Sequence, residues 1–285
     1  NNSGTDSDAC LASGGTPGRS NSGAQSATAP LIRDAIHQPL GPKSTDPVTV
    51  AARILDGSTN GLVVRLHHRL DGAPGFTTTS MTDDGQGGDA LIGDGIFSAI
   101  IPAQTNNAIV EFYLEATDAT GHTRFWPAPA IETNGLPVQA ANLLYQVDDA
   151  TPPHGQPLYK LILTAAEAAE LKQINANSPA APYATGDQTR SHARMNATFL
   201  SFDGTGGEVR YLTGIRNRGN GSRSKLPQGY NVNFRNDDLW KGQTALNLNS
   251  QNTYSQLAGS ALYQQAGLPM ADSRAVQVRV NNGNF

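Results

Sequence analysis

The large apolar residues of this chain come in short runs and never in long ones. Val48–Leu55, Leu62–Leu70, Phe76–Met81, Ile96–Ile101, Ile109–Thr117 and His122–Trp126 are each of strand length, and Gly, Asp or Asn turn residues separate them. Spacing of this kind is the signature of an antiparallel sandwich. Alternation is clearest where Val64, Leu66, His68 and Leu70 share one face of a strand and the residues between them share the other. Asp118-Ala119-Thr120-Gly121 reads as the hairpin turn between the last two runs. No run approaches the roughly 18 apolar residues of a membrane span, and no charged start followed by an apolar stretch marks a signal peptide.

These runs predict a β-sandwich of immunoglobulin or fibronectin-III-like kind over residues 47–127. The chain has 285 residues, enough for about two domains. Residues 1–46 are rich in Ser, Gly, Asn, Thr and Pro and are expected to be a linker or the end of a preceding domain. Residues 128–157 read as a second linker, interrupted by the apolar patch Leu143–Val147. From Leu158 the pattern changes. A strand-like segment leads through Thr164 and Glu167, a capping box, into a helix to about Ile174. Met195–Phe202 and Val209–Ile215 form a hairpin, with strands at Tyr230–Phe234 and Ala245–Leu248 after it. A helix of about Tyr254 to Ala266, stopped by Gly267, precedes a last strand at Ala275–Val280. Residues 158–285 therefore predict an α+β unit, and a chain that begins without Met and stops in a strand or turn reads as an excerpt of something longer.

Charged residues make up only 15% of the chain, against the usual ~25%, and the net charge is -4. A general nucleic-acid binder needs a basic footprint that this composition does not give. The single Cys10 excludes an intramolecular disulfide and a cysteine-built zinc site. Against so dilute a background one basic cluster stands out, Arg216-Asn217-Arg218-Gly219-Asn220-Gly221-Ser222-Arg223-Ser224-Lys225 at a strand exit. Four cations with glycines that admit close backbone approach suit a phosphate or carboxylate; a solvated charged turn is the alternative. The segment is neither a Walker loop nor a complete GxGxxG fingerprint.

A second cluster places Asp83, Asp84, Asp89 and Asp94 among glycines. These oxygens could hold a structural Ca²⁺, although the spacing departs from the EF-hand order; an Asp/Gly turn is the alternative. Other candidates fail on geometry. His67 and His68 point to opposite faces of one strand and share no metal. The Leu257-Ala258-Gly259-Ser260-Ala261 segment lacks the second glycine of a nucleophile elbow, and Gly259 is expected to make a close helix contact. Asp237-Asp238 reads as a turn, and Trp126 and Trp240 as packing residues.

The C-terminal segments Tyr159–Thr164, Gly214–Ser222, Tyr230–Phe234, Leu246–Asn249, Ala266–Pro269 and Val276–Asn281 occur in the order seen in the CotH family of spore-coat and cell-surface proteins, which have an atypical protein-kinase activity. The resemblance covers about Leu158 to Phe285, with the Arg-x-Arg-Gly-x-x-Ser core as its most specific part. Gly14–Ser22 resembles the closing segment of lamin-tail modules, and the upstream sandwich resembles modules that precede CotH domains in long secreted bacterial proteins. The resemblance implies the N-terminal portion of a CotH-like kinase domain, extracellular or in the cell envelope, using ATP and Mg²⁺ to phosphorylate a protein substrate. It places Arg216, Arg218, Gly219 and Ser222 at the phosphates, with Arg223 and Lys225 as local additions. Where many members carry a Lys pair, this chain has Pro227-Gln228-Gly229 before Tyr230. The family's metal-binding acidic residues lie beyond the last strand, so the chain as given is expected to be inactive. The alternative is a non-catalytic adhesion or structural protein, partnered with other cell-surface components, that uses this region as a scaffold.

Overall fold

The computed structural model describes residues 28–57, 60–150, 155–174, 191–219, 223 and 225–284. Among the described residues the fold is mostly β-sheet with two short helices. The first part contains β1 (Leu31–Gln38), β2 (Val48–Leu55), β3 (Val63–Leu70), β4 (Thr77–Met81), β5 (Ile96–Ile101), β6 (Ile109–Thr117) and β7 (Thr123–Trp126), followed by the short pair β8 (Ala130–Ile131) and β9 (Pro137–Val138) and then by β10 (Leu143–Gln146). One sheet has the order β1-β2-β5. The other runs β10-β6-β3-β4, with β7 sharing the β10 side of β6. Alternate residues of each sheet face a common core: Val48, Val50, Ala52 and Ile54 from β2 meet Val64 and Leu66 from β3 and Val110, Phe112 and Leu114 from β6.

Four strands lie where linkers were expected: β1, the short pair β8 and β9, and β10. β1 falls inside residues 1–46 and supplies the edge beside β2; its sequence mixes Arg33 and Asp34 among apolar residues, and a bulge at Asp34 (φ 51°) breaks its alternation. β10 falls inside residues 128–157 and pairs with β6. All four of its residues are buried, because it has protein on both faces. The Gly14–Ser22 segment and Cys10 lie outside the described residues.

The second part comprises β11 (Leu158–Ile162), α1 (Ala165–Gln173), β12 (Met195–Phe202), β13 (Gly207–Asn217), β14 (Tyr230–Asn233), β15 (Ala245–Leu248), α2 (Thr253–Gln265), β16 (Gln277–Val280) and β17 (Gly283–Asn284). Its seven-stranded sheet runs β15-β14-β13-β12-β11-β16-β17, antiparallel except for the β11–β16 pair. The Thr164 hydroxyl accepts from the Glu167 amide at 3.2 Å, which starts α1 as its sequence requires. Leu171 from α1 packs with Tyr159, Phe199, Phe234 and Trp240 in a second core. In α2 the expected close contact at Gly259 is absent, since a Cβ there would meet nothing within 4 Å. Ser260 is the buried residue, hydrogen-bonded to Ser273.

The two parts interlock. Leu143, Tyr145 and Val147 face the sandwich core. Leu144 faces the other way, and its amide donates to the Thr198 hydroxyl of β12 at 3.2 Å. Asp148, just after β10, accepts from Lys160 on β11 at 2.9 Å and from Arg279 on β16 at 3.3 Å. The third link is Tyr211. Ala197 pairs with Thr213 but Phe199 with Arg210, so β13 carries an extra residue, and Leu212 takes φ 53°. At this bulge Tyr211 joins the sandwich core. Its hydroxyl accepts from the His37 amide at 3.1 Å and also meets His37 Nδ1. His37 Nε2 faces the Leu40 carbonyl at 3.2 Å, so Nε2 carries the proton and Nδ1 accepts from Tyr211.

Candidate functional site

The basic cluster begins on the last residues of β13. Ile215 points into the second core, so Arg216 points to the opposite face of the sheet. Asn217 turns back to the core side, where its amide donates to the carbonyls of Leu171 at 2.8 Å and Ile174 at 2.7 Å. The C-terminal end of α1 is thereby satisfied and the strand exit is pinned. The Arg218 amide donates to the Gly229 carbonyl at 2.8 Å, which carries the ladder one step past β13. Gly219 follows at φ 96°, in the left-handed region that a glycine adopts without strain. Ser222 lies outside the described residues.

Within the cluster the cations divide. Arg223 is buried at 2% exposure. Its Nε donates to the Gly219 carbonyl at 2.6 Å, Nη1 to the Ser191 carbonyl at 2.7 Å, and Nη2 lies 3.0 Å from His192 Nδ1. This guanidinium holds the loop together rather than facing a ligand. Arg216 makes one long contact, 3.4 Å to the Asn217 carbonyl. Lys225 is exposed. Among the described residues no carboxylate pairs with Arg216, Arg218 or Lys225. Loss of water and then the positive charge of Arg216 press the Arg223 guanidinium below its ordinary pKa. The same two causes act on Arg194, which stands at the entry of β12. Nothing local to Arg194 groups it with the loop. Only the strand register, which lies in the fold, brings it there.

The acidic cluster lies between β4 and β5. Asp83 accepts from the amides of Gly93 at 2.7 Å, Asp94 at 3.2 Å and Gly95 at 2.9 Å. Asp89, 8% exposed, accepts from the Gly85 amide at 2.6 Å, and Asp94 from the Ile96 amide at 2.8 Å. Carboxylate oxygens of Asp83, Asp89 and Asp94 come within 4.8 Å of one another, while Asp84 stands outside this set and accepts from Gln86. This is the only such group of three among the described residues. The backbone amides account for its geometry as a turn.

No protein-family model matches the chain, and no curated protein matches it. The functional reading therefore rests on the site itself.

One further polar grouping escaped sequence reasoning. His67 faces away from the core and bridges Glu115 at 2.8 Å and the Thr78 hydroxyl at 2.9 Å, under the ring of Tyr113. It works as a cross-strand tie between β3, β4 and β6. His68 has its pKa lowered, by burial first and by His67 second. The turn at Asp237-Asp238 is confirmed by the Asp238 amide donating to the Arg235 carbonyl at 3.2 Å. Trp240 packs in the second core, and Trp126 packs against the sandwich core beneath Arg235.

Proposed function

We propose that the exit of β13 binds the phosphates of ATP, and that this chain is part of a CotH-like atypical protein kinase of the cell envelope or exterior, carried behind an immunoglobulin- or fibronectin-III-like sandwich. One observation carries the reading: Arg216 and Arg218 leave a pinned strand side by side with no carboxylate partner among the described residues. A pair of guanidiniums held on a rigid element and left unneutralised suits a phosphate. Gly219 and Lys225 complete the cradle. Arg223 supports it from below.

Phosphoryl transfer also needs divalent metal held by carboxylates and a group that orients the acceptor hydroxyl. The one group of three carboxylates among the described residues lies on the β4–β5 loop of the sandwich, not on the sheet that carries the cations. The described residues thus fit the phosphate part of the ligand and do not fit the magnesium, so no transfer step is derived for them.

The test is calorimetric titration of ATP into the 285-residue chain. Replacing Arg216 and Arg218 together by Ala is expected to weaken ATP binding about tenfold or more, at two lost charge-assisted contacts, while leaving the unfolding midpoint nearly unchanged. Unchanged affinity in a folded double variant would overturn the assignment and leave the scaffold reading.

A further inference from the structure

The register of the second sheet puts an additional arginine beside the site. Met195 pairs with Ile215, so Arg194 stands opposite Arg216 across the β12–β13 boundary. On the other side Arg216 pairs with Asn231, which in turn pairs with Asn247 of β15. Four polar residues therefore form one row on the face opposite the second core, Arg194 just before β12 and the others on β13, β14 and β15. They are joined: Arg194 Nη1 donates to Asn231 Oδ1 at 2.9 Å, and Asn231 Nδ2 donates to Asn247 Oδ1 at 3.0 Å. The arginine reaches Asn231 through a notch in the sheet. Gly214, two residues before Arg216 and on the same face, has no side chain, and a Cβ there would lie 2.9 Å from Arg194 Cδ and 3.3 Å from its Cβ. Arg194 also donates to the Gly214 carbonyl at 3.2 Å.

We infer that Arg194, seated in the Gly214 notch and held by Asn231, is a third arm of the anion site and fits it to ligands with more than one phosphoryl group. The inference rests on the phosphate reading above. Neighbouring strands lie ~4.8 Å apart and alternate residues along a strand ~6.6 Å apart, so Arg194, Arg216 and Arg218 start from three separate backbone positions on one face, and their guanidiniums can reach separate phosphoryl groups. Two cations held on neighbouring strands repel each other. No carboxylate among the described residues relieves that repulsion, and an oligophosphate would. Arg194 keeps donors available for this, since Nη1 alone is engaged with described residues. The asparagines orient it without neutralising it.

Inorganic triphosphate and orthophosphate are the probes, titrated into the full chain at several salt concentrations. Triphosphate is expected to bind about tenfold or more tightly than orthophosphate. Arg194→Ala should remove most of that difference and flatten the salt dependence, whereas Arg194→Lys should keep the salt dependence. Gly214→Ala, which leaves every charge in place, should weaken triphosphate in the same direction by displacing Arg194. Its readout stands even if Arg194→Ala fails to fold. If Arg194→Ala and Gly214→Ala bind triphosphate as the parent does while the Arg216/Arg218 variant does not, the third arm is refuted and the phosphate reading survives. If the parent binds neither probe, the phosphate reading fails and takes this inference with it.

Discussion

The loop between β4 and β5 and the loop after β13 are built from the same materials, glycines and like charges at a strand exit, and they dispose of their charge in opposite ways. In the acidic loop the neutralising partners come from the loop itself: five backbone amides point at Asp83, Asp89 and Asp94. In the basic loop Arg223 alone is closely held, by the Gly219 carbonyl within the loop and the Ser191 carbonyl outside it, while Arg216 has only the long contact to the Asn217 carbonyl. The reason is an asymmetry of the backbone. A sharp glycine turn converges N–H groups and so makes a nest for an anion, but it offers no comparable convergence of carbonyls around several cations. An acidic cluster in a glycine-rich turn can therefore close on itself. A basic one remains open to an external partner.

The closed class of polar group extends to His37, and there the contrast can be pushed hardest. Burial holds the imidazole neutral and lowers its pKa from 6.5 to about 4, with the Leu40 carbonyl a smaller opposing influence. The unfolded chain takes up a proton near pH 6.5 that the folded chain refuses until about 4. Stability from His37 is thus full above pH 6.5 and is lost as pH falls through that window, by about 3 kcal/mol in all. Urea unfolding at pH 7.5 and at pH 4.5 should show this loss, and it should shrink in His37→Gln. An equal loss in that variant would assign the acid sensitivity to other groups.

A smaller effect is expected at Asp83. Removing its carboxylate strands three amide donors, each worth about 1 kcal/mol when paired. Some will find water at this partly exposed site, so Asp83→Ala should lower stability by about 2 kcal/mol in denaturant titration. A change under about 0.5 kcal/mol would mean that the amides do not close the loop. The smallest effect is the one expected of a chelator. With the acidic loop satisfied by its own backbone, EGTA should move the melting temperature by no more than about 1 °C. A fall of several degrees would show a bound Ca²⁺ and would place the acidic loop with the open class.

How much of this was legible depended on how local the causes are. The six apolar runs, the Thr164 cap and the stop at Gly267 follow from neighbouring residues, and the structure shows each of them. β10 was visible only as an apolar patch, because its second buried face is made by β12, about fifty residues on. β1 was hidden by Arg33 and Asp34, which an edge strand with a bulge can carry. At the candidate site the loop cations could be read directly from the sequence, but their division could not. That Arg223 is a strut, and that Arg194 stands beside Arg216, depend on partners 20 to 37 residues distant. His37 and Tyr211 are separated by 174 positions and carry no local signal at all.

The two-faced strand β10 has a consequence for how such a chain can be inherited. A sandwich cut at Pro127 would leave the Ile109–Phe112 end of β6 without β10 and the first core without Leu143 and Tyr145. A second unit starting at Leu158 would bare the surface that Leu144 covers. Recombination at either apparent joint would damage both products, so the segment that can move between genes is the pair, with the strand between them belonging to neither.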